Sequence, residues 1–215
     1  MLPLRRNAFQ LYRPAIDVAP IVDEIRVLES RASWIPKSAN GGWSAITIKS
    51  KDGTDCPFLS AEGIEEGAAA FAYTDDGAGC PVIRSLLDGL GTDVYLARLL
   101  KLKPGQRVKY HTDDVVFQDT SRVVRLHLPL VTCPRCVLRF GIPLREPERG
   151  YNVWDAKLAH EVHIPEGELW YTNVNALHSV ANGGERDRIH LVVDVKPQKG
   201  LADALREWGS QRELM

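Results

Sequence analysis

The pattern of apolar and polar positions divides this chain of 215 residues into two parts. Up to about residue 92, helical spacing predicts helices over 16–31 and 81–90, and alternation predicts a strand from Trp43 to Lys49. From residue 93 to about 195, short apolar runs alternate with turn residues, and no long helix is predicted between them. The runs are Val94–Leu102, Arg107–His111, Val123–Val131, Val137–Ile142, His160–Ile164, Glu168–Thr172, Ser179–Ala181 and Arg188–Val195.

Eight consecutive short strands indicate a β-sandwich or barrel, and the jelly roll is the common arrangement of eight strands. We therefore predict a mainly β protein whose core is a double-stranded β-helix, that is, a cupin-like jelly roll. In this prediction one domain spans 1–215, with an α+β N-terminal elaboration (1–92), a jelly-roll core (93–197) and a C-terminal helix (198–215).

The charge balance excludes some partners. Lys and Arg number 27 and Asp and Glu number 28, so the net charge of −1 provides no field that would attract nucleic acid or an acidic membrane. Every apolar run is broken by charge before it reaches the length of a membrane span, and no secretory run follows the N-terminus. We expect a cytoplasmic protein without nucleic-acid or membrane partners, and we leave the oligomeric state open.

The four cysteines, Cys56, Cys80, Cys133 and Cys136, are expected to be free thiols in such a compartment. The spacing Cys133-Pro-Arg-Cys136 also suits half a zinc site or a redox dithiol. A second pair of zinc ligands is missing, and the flanking sequence predicts a strand and a turn, not a strand that enters a redox helix. The pattern favours a structural role over either site.

The segment His111-Thr-Asp113 carries the first candidate chemistry. In an extended chain, residues i and i+2 point to the same face, so His111 and Asp113 can bind one cation together, unlike Asp114. His178, directly after the predicted strand Glu168–Thr172, is the candidate third ligand. Two imidazoles and one carboxylate form the facial triad that suits Fe(II) and leaves coordination positions open, whereas structural zinc takes four closed ligands.

Two further strands place cationic side chains on one face. Arg188 opens a buried strand in which Ile189, Leu191 and Val193 form the other face, and Arg125 shares a face with His127. A buried guanidinium needs an anion, and its fork fits a carboxylate, so a bound dicarboxylate would explain both strands. The alternative is a set of structural ion pairs with acids of the chain. The candidate acids are Asp194, Asp119 and Glu168.

The order and spacing of the motifs between Val94 and Val195 resemble the aspartyl/asparaginyl β-hydroxylase family of Fe(II)- and 2-oxoglutarate-dependent oxygenases, which includes prokaryotic proline hydroxylases. The motifs are Lys103-Pro-Gly, His111-x-Asp113, Arg125-Leu-His127-Leu, Pro-Glu-Gly167-Glu-Leu-Trp, His178 and Arg188. The resemblance implies a dioxygenase that hydroxylates an unactivated carbon of an amino acid, free or peptidyl, and releases succinate and CO2. Asp, Asn and Pro are the leading substrates that the family implies.

The resemblance also implies roles for residues. His111, Asp113 and His178 would hold Fe(II), at which 2-oxoglutarate and O2 react. Arg188 would bind the distal carboxylate of 2-oxoglutarate, and the metal-side carboxylate would lie near Arg125 and His127.

The chain departs from the animal peptidyl members of the family in two ways. Leu100 stands where those members have a serine that helps to hold the distal carboxylate, and Arg98 on the same face could substitute for it. Animal members lack the acidic iron ligand that Asp113 provides here, so the chain resembles the bacterial members more closely.

Two other functions stay open at this stage. A cupin-type metalloenzyme that does not use 2-oxoglutarate would keep the three ligands without needing Arg188. A non-catalytic jelly-roll binding module would not bring the side chains of His111, Asp113 and His178 together.

Overall fold

The computed structural model describes residues 8–11, 15–37, 42–113, 122–144 and 155–197, so the predicted C-terminal helix lies outside the described residues. The described strands are β1 (Ala8–Gln10), β2 (Ile35–Lys37), β3 (Trp43–Lys51), β4 (Phe71–Tyr73), β5 (Val94–Leu102), β6 (Arg107–His111), β7 (Val124–Val131), β8 (Cys136–Pro143), β9 (Ala156–Val162), β10 (Trp170–Thr172), β11 (His178–Asn182) and β12 (Arg188–Val195). The described helices are α1 (Ala19–Leu28), α2 (Ala61–Glu66), α3 (Asp75–Ala78) and α4 (Pro81–Asp88), with a 3-10 turn at Ala68–Ala70.

Strands β5 to β12 form two antiparallel sheets. The major sheet contains the order β10-β7-β12-β5, and the minor sheet has the order β6-β11-β8-β9. Strands that follow one another along the chain mostly lie in opposite sheets, which is the winding of a double-stranded β-helix. The predicted mainly β, jelly-roll fold is therefore confirmed.

The N-terminal residues extend the major sheet. Strand β3 pairs with β5, β2 and β4 pair with β3, and β1 pairs with β10, which makes this sheet eight-stranded. Helices α1 and α4 pack on its outer face through Ile21, Ile25, Leu28, Ile83 and Leu87, which belong to the main hydrophobic core. Burial of each such side chain stabilises the fold by about 1.5–3 kcal/mol.

Alternation along β12 separates the core from the interior of the sandwich. All eight residues of β12 are buried, and Ile189, Leu191 and Val193 join the hydrophobic core. The intervening positions include Arg188 and Asp194, which are also buried and which point to the other face. The predicted division of β12 into an apolar and a cationic face is confirmed.

Some element boundaries differ from the prediction. Strand β9 was expected at His160–Ile164 but spans Ala156–Val162, because it is an edge strand without an alternating apolar pattern. Helices α2 and α3 were not predicted; each begins after an N-cap, Ser60 or Thr74, whose hydroxyl accepts from the N–H of the third residue that follows.

In the described part of the chain, no helix combines the length and the hydrophobicity that crossing a membrane requires.

Candidate active site

His111 and His178 lie opposite each other on adjacent strands of the minor sheet. They are paired in the β6–β11 register, and their ring centroids are 4.3 Å apart. Asp113 lies just beyond the end of β6, where its backbone N–H donates to Val174 O at 3.0 Å. Asp113 Oδ1 is 3.2 Å from His111 Nε2 and 3.8 Å from His178 Nε2. The structure thus brings together the three predicted ligands, with one ligand atom of each within 4.8 Å of the others.

Hydrogen bonds orient both imidazoles for metal binding. His111 Nδ1 lies 2.7 Å from Lys109 O, and His178 Nδ1 lies 2.9 Å from Ala176 O. A carbonyl oxygen only accepts, so each Nδ1 carries the proton and donates it, which leaves a lone pair on each Nε2. Burial lowers the pKa of His178 to about 4, so this imidazole is neutral near pH 7. Neutral imidazole is the form that ligates a metal.

Asp113 is held ionised by a buried network of charges. Burial alone would raise its pKa, but the guanidinium of Arg125 lowers it well below the usual value. Arg125 Nη1 donates to Asp113 Oδ2, while Arg125 Nε and Nη2 donate to the two oxygens of Asp194 at 2.7 and 2.8 Å. The predicted structural pairing of Arg125 with Asp194 therefore exists, and the same guanidinium reaches the candidate metal ligand.

Arg98 belongs to the same network. Its Nη1 donates to Pro57 O at 2.7 Å and lies 3.5 Å from Asp194 Oδ2. Burial and the nearby charge of Arg125 lower the pKa of Arg98 to about 10, so the group stays protonated near pH 7. Asp194 thus has two arginine partners, which places Arg98 beside Arg125.

Arg188 is different, because it has no carboxylate partner among the described residues. Its Nη2 donates to His190 Nδ1 at 3.0 Å, and its side chain is buried. Burial lowers the pKa of Arg188 to about 10, so a full positive charge lies in the interior. Of the acids considered from sequence, Asp194 pairs with Arg125 and Arg98, Glu168 accepts from Trp170 Nε1, and Asp119 lies outside the described residues.

Most of these groups line one cavity of about 520 Å³ between the two sheets. The triad lines it, together with Arg98, Arg125 and Arg188. Three buried guanidinium groups lie near only two carboxylates, those of the buried Asp194 and of the partly buried Asp113, so the described part of this interior has an excess of positive charge. An anion, or a dianion together with a metal ion, would bind favourably here.

Three polar atoms of residues that line the cavity have no hydrogen-bond partner in the described part of the chain. They are Arg98 Nε, His127 Nδ1 and Thr172 Oγ1, and the last two residues lie on adjacent strands, β7 and β10. A buried polar atom without a partner costs about 1–3 kcal/mol, which a ligand could offset. Sequence reasoning included His127 and missed Thr172, although Thr172 alternates with Tyr171 in a strand that was predicted.

Most of the remaining wall is apolar. Trp43 and Phe58, whose rings meet edge to face at 6.5 Å, contribute to it from the N-terminal part. The other large apolar residues of the wall are Leu59, Leu100, Leu102, Val108, Val174, Leu138, Phe140, Val180 and Val192. Polar recognition groups in a mostly apolar cavity are typical of a small-molecule site.

Comparison with protein families identifies the class of enzyme to which this chain belongs. A model of the aspartyl/asparaginyl β-hydroxylase family matches residues 17–165. The chain belongs to this family. Membership confirms the predicted resemblance and the predicted class of enzyme, a hydroxylase that depends on Fe(II) and 2-oxoglutarate. The match includes His111, Asp113, Arg125 and His127, and it ends before β11 and β12.

One solved structure shares the fold of this chain, and two others are similar to it with lower scores. The epimerase SnoN, in complex with Fe3+, α-ketoglutarate and nogalamycin RO, is 17% identical, with a TM-score of 0.52 over 93% of this chain and 85% of SnoN. A Pseudomonas putida prolyl-4-hydroxylase is 18% identical, with a TM-score of 0.48 over 88% of this chain and 91% of its own. A Burkholderia pseudomallei 2OG-Fe(II) oxygenase is 15% identical, with a TM-score of 0.48 and coverages of 88% and 86%. No curated protein matches the sequence.

Proposed function

We propose that this hydroxylase acts on an unactivated carbon of an amino acid, either free or within a peptide, and converts 2-oxoglutarate and O2 to succinate and CO2. Asp, Asn and Pro are the leading substrates, as the family implies. Support comes from the family match and from a cavity whose size suits a small molecule or one side chain. A cytoplasmic location remains our prediction from the sequence.

His111, Asp113 and His178 would hold the Fe(II). The residues fit this metal, since two imidazole nitrogens and one carboxylate oxygen converge within 4.8 Å. The carbonyls of Lys109 and Ala176 fix the imidazoles, as partners of metal-ligating histidines commonly do. Three protein ligands leave coordination positions open for 2-oxoglutarate and O2.

Arg188 would bind the distal carboxylate of 2-oxoglutarate. It is the buried arginine that lacks a carboxylate partner in the described chain, and it lines the same cavity as the triad. A carboxylate there would receive two charged hydrogen bonds from the guanidinium fork. Arg125 and His127 would lie near the metal-side carboxylate, and Nδ1 of His127, which has no hydrogen-bond partner among the described residues, could contact it.

When bound, iron and 2-oxoglutarate together supply the oxidising power that hydroxylation of an unactivated carbon needs. The protein's own residues bind and orient the substrates, and they exclude water from the cavity. Leu100, Leu102 and Val192 keep the cavity around Arg188 apolar, which strengthens its pairing with a carboxylate. Arg125 holds the Asp113 carboxylate in place, so the ligand is already oriented before the metal binds.

One observation carries this proposal: the three ligand atoms converge on the same cavity as an arginine without a carboxylate partner. An anaerobic titration of the metal-free protein with Fe(II), and then with 2-oxoglutarate, tests it. We expect the weak visible charge-transfer band of a 2-oxo acid chelated to Fe(II). Glutarate, which lacks the 2-oxo group, should give no band.

His178→Ala should abolish the band, whereas His160→Ala should keep it, because His160 lies exposed on β9. A band of full intensity in His178→Ala would reject the triad. Fe(II) binding without any band would favour the cupin-type enzyme that does not use 2-oxoglutarate. The non-catalytic module required the three side chains to stay apart, and they do not.

The substrate class is tested by release of succinate. Free Asp, Asn and Pro, and peptides that contain them, are incubated with the Fe(II)-loaded enzyme, 2-oxoglutarate and O2. A substrate of the class proposed raises succinate release above the uncoupled background and gains 16 Da by mass spectrometry. If no amino acid or peptide does both, the proposed substrate class is wrong.

A further inference from the structure

The turn between β7 and β8 holds two thiols in contact. Cys133 Sγ and Cys136 Sγ are 3.4 Å apart, and the N–H of Cys136 donates to Cys133 O at 2.8 Å, which closes the turn. Both cysteines are free. Cys133 is half-buried beside the exposed Pro134 and Arg135, and Cys136 is 4% exposed. The function proposed above uses neither thiol.

The two thiols differ in reactivity. Slight burial opposes ionisation of Cys133, but its contact with the Cys136 thiol and the hydrogen bonds from the N–H groups of Arg135 and Cys136 lower its pKa. Burial raises the pKa of Cys136. A partly exposed thiol with a lowered pKa, 3.4 Å from a buried thiol, is the arrangement of an attacking and a resolving cysteine.

Hydrogen bonds connect the turn that contains Cys133 and Cys136 to Asn182 and to the loop that precedes Arg188. Cys136 Sγ donates to Asn182 Oδ1 at 3.1 Å, and Gly183 N donates to Arg135 O at 3.0 Å. The Nδ2 of Asn182 donates in turn to Leu102 O and Arg186 O, at 2.7 and 2.8 Å. The loop 183–187 joins β11, which carries His178, to β12, which begins at Arg188.

Gly184 makes the tightest contact of this loop with the dithiol. A Cβ at position 184 would lie 2.6 Å from Cys133 Sγ, so only glycine allows the loop to approach the sulfur this closely. A disulfide needs an S–S distance of about 2.05 Å, so oxidation moves the sulfurs together by more than about 1 Å. It also removes the thiol proton that Asn182 Oδ1 accepts, which leaves this oxygen with the N–H of Gly184.

We propose that Cys133 and Cys136 form a reversible disulfide by exchange with low-molecular-weight disulfides such as oxidised glutathione, and that this disulfide weakens the binding of 2-oxoglutarate at Arg188. The second half rests on the proposed function. The Cys133 thiolate attacks oxidised glutathione, forms a mixed disulfide and releases one glutathione thiolate. The Cys136 thiolate then attacks Cys133 Sγ and releases the second. Both protein protons pass to the two glutathione molecules, and two protein thiols are oxidised while one small disulfide is reduced.

The first measurement determines whether the disulfide forms. The purified protein is equilibrated anaerobically with mixtures of reduced and oxidised glutathione, free thiols are alkylated, and peptides are mapped by mass spectrometry. We expect a Cys133–Cys136 crosslink whose fraction follows the glutathione ratio. Cys133→Ser and Cys136→Ser should abolish it, and the matched control Cys56→Ser/Cys80→Ser should behave as wild type. Absence of the crosslink at every ratio overturns the proposal.

The second measurement determines the coupling. Calorimetric titration of the anaerobic, Fe(II)-loaded protein with 2-oxoglutarate should show about two- to tenfold weaker binding in the oxidised form, the effect of one lost hydrogen bond. Cys133→Ser/Cys136→Ser should bind equally well before and after glutathione treatment. A crosslinked wild type of unchanged affinity overturns the coupling. If the reduced wild type binds no 2-oxoglutarate, the proposed function is wrong. The crosslink measurement still shows in that case whether Cys133 and Cys136 form a disulfide.

Discussion

Arg125 and Asp194 form a two-bond ion pair in the interior of the jelly roll, with Nε and Nη2 of the arginine 2.7 and 2.8 Å from the carboxylate oxygens. The two residues are directly paired in the β7–β12 register. The third guanidinium nitrogen reaches Asp113, and Asp194 also faces Arg98. The position of the candidate metal ligand on the minor sheet therefore depends on an acid of the major sheet.

Asp194→Ala should destabilise the metal-free protein by about 3–5 kcal/mol, because it leaves two buried guanidinium groups without their shared carboxylate. Urea unfolding, followed by far-UV circular dichroism, measures the free energy. The control is Glu161→Gln, which breaks an ion pair with Arg139 on the partly exposed surface and should cost less than about 1 kcal/mol. Equal stabilities of the two variants would contradict a structural role for this network.

Arg125→Met should weaken metal binding by about 10- to 100-fold, because the Asp113 carboxylate loses the group that orients it. Titration with Mn²⁺, followed by electron paramagnetic resonance, measures the affinity without turnover. Arg98→Met is the matched control, since it removes a guanidinium from Asp194 but leaves the Arg125–Asp113 contact intact. Similar losses in both variants would assign the effect to the whole network instead of to Arg125.

Arg188→Met should have opposite effects on stability and on binding. Removal of a buried charge that has no carboxylate partner in the described chain should raise the free energy of unfolding by about 1–3 kcal/mol. The same change should weaken 2-oxoglutarate by about 10- to 100-fold, through loss of charged hydrogen bonds. Arg186→Met, at an exposed position of the preceding loop, should change neither quantity. Unchanged affinity in Arg188→Met would reject the carboxylate role.

The stability of the metal-free protein should fall as the pH drops from about 6.5 towards 4. Burial lowers the pKa of His178 to about 4 and keeps the pKa of His127 and of His190 well below 6.5. Below pH 6.5 the unfolded chain therefore binds more protons than the folded one, so acid favours unfolding. At pH 5.5 each of these histidines should contribute a slope of about 1.2 kcal/mol per pH unit.

Urea unfolding between pH 5 and 7.5 checks this pH dependence. His127→Leu should reduce the slope by the contribution of one histidine. The exposed His160 provides the control, since His160→Asn should leave the slope as it is in the wild type. A slope that is the same in all three proteins would show that buried histidines do not cause the acid sensitivity.

The sequence was sufficient to predict the jelly roll because its core strands bury one continuous face. Strands β5, β6 and β12 were predicted to the residue, since each alternates or runs apolar between clear turns. The three-residue strands β1, β2 and β4 are too short to carry a period. Strand β9 was misplaced, because an exposed edge strand needs no apolar alternation.

For the site, the spacing of His111 and Asp113 and the buried strand of Arg188 were enough to predict which side chains meet. Which of the arginines pairs with a carboxylate of the chain could not be predicted, because the pairing depends on which residue lies opposite each arginine across the sheet. Asp194 is in register with Arg125 on β7, whereas Arg188 is in register with Leu102 on β5, so Arg188 is left without a carboxylate partner among the described residues. Thr172 was not predicted as a site residue, since a single threonine in a strand does not indicate a binding site.

The two faces of β12 also limit how this sequence can change. A single-residue insertion or deletion near the start of the strand would turn the residues that follow it to the opposite face, so that Leu191 and Val193 would face the cavity and Asp194 would face the core. The core and the arginine network would be disrupted by one change. Substitutions can therefore accumulate one by one along β12, but changes of length can be tolerated only outside it, in the loops at its ends.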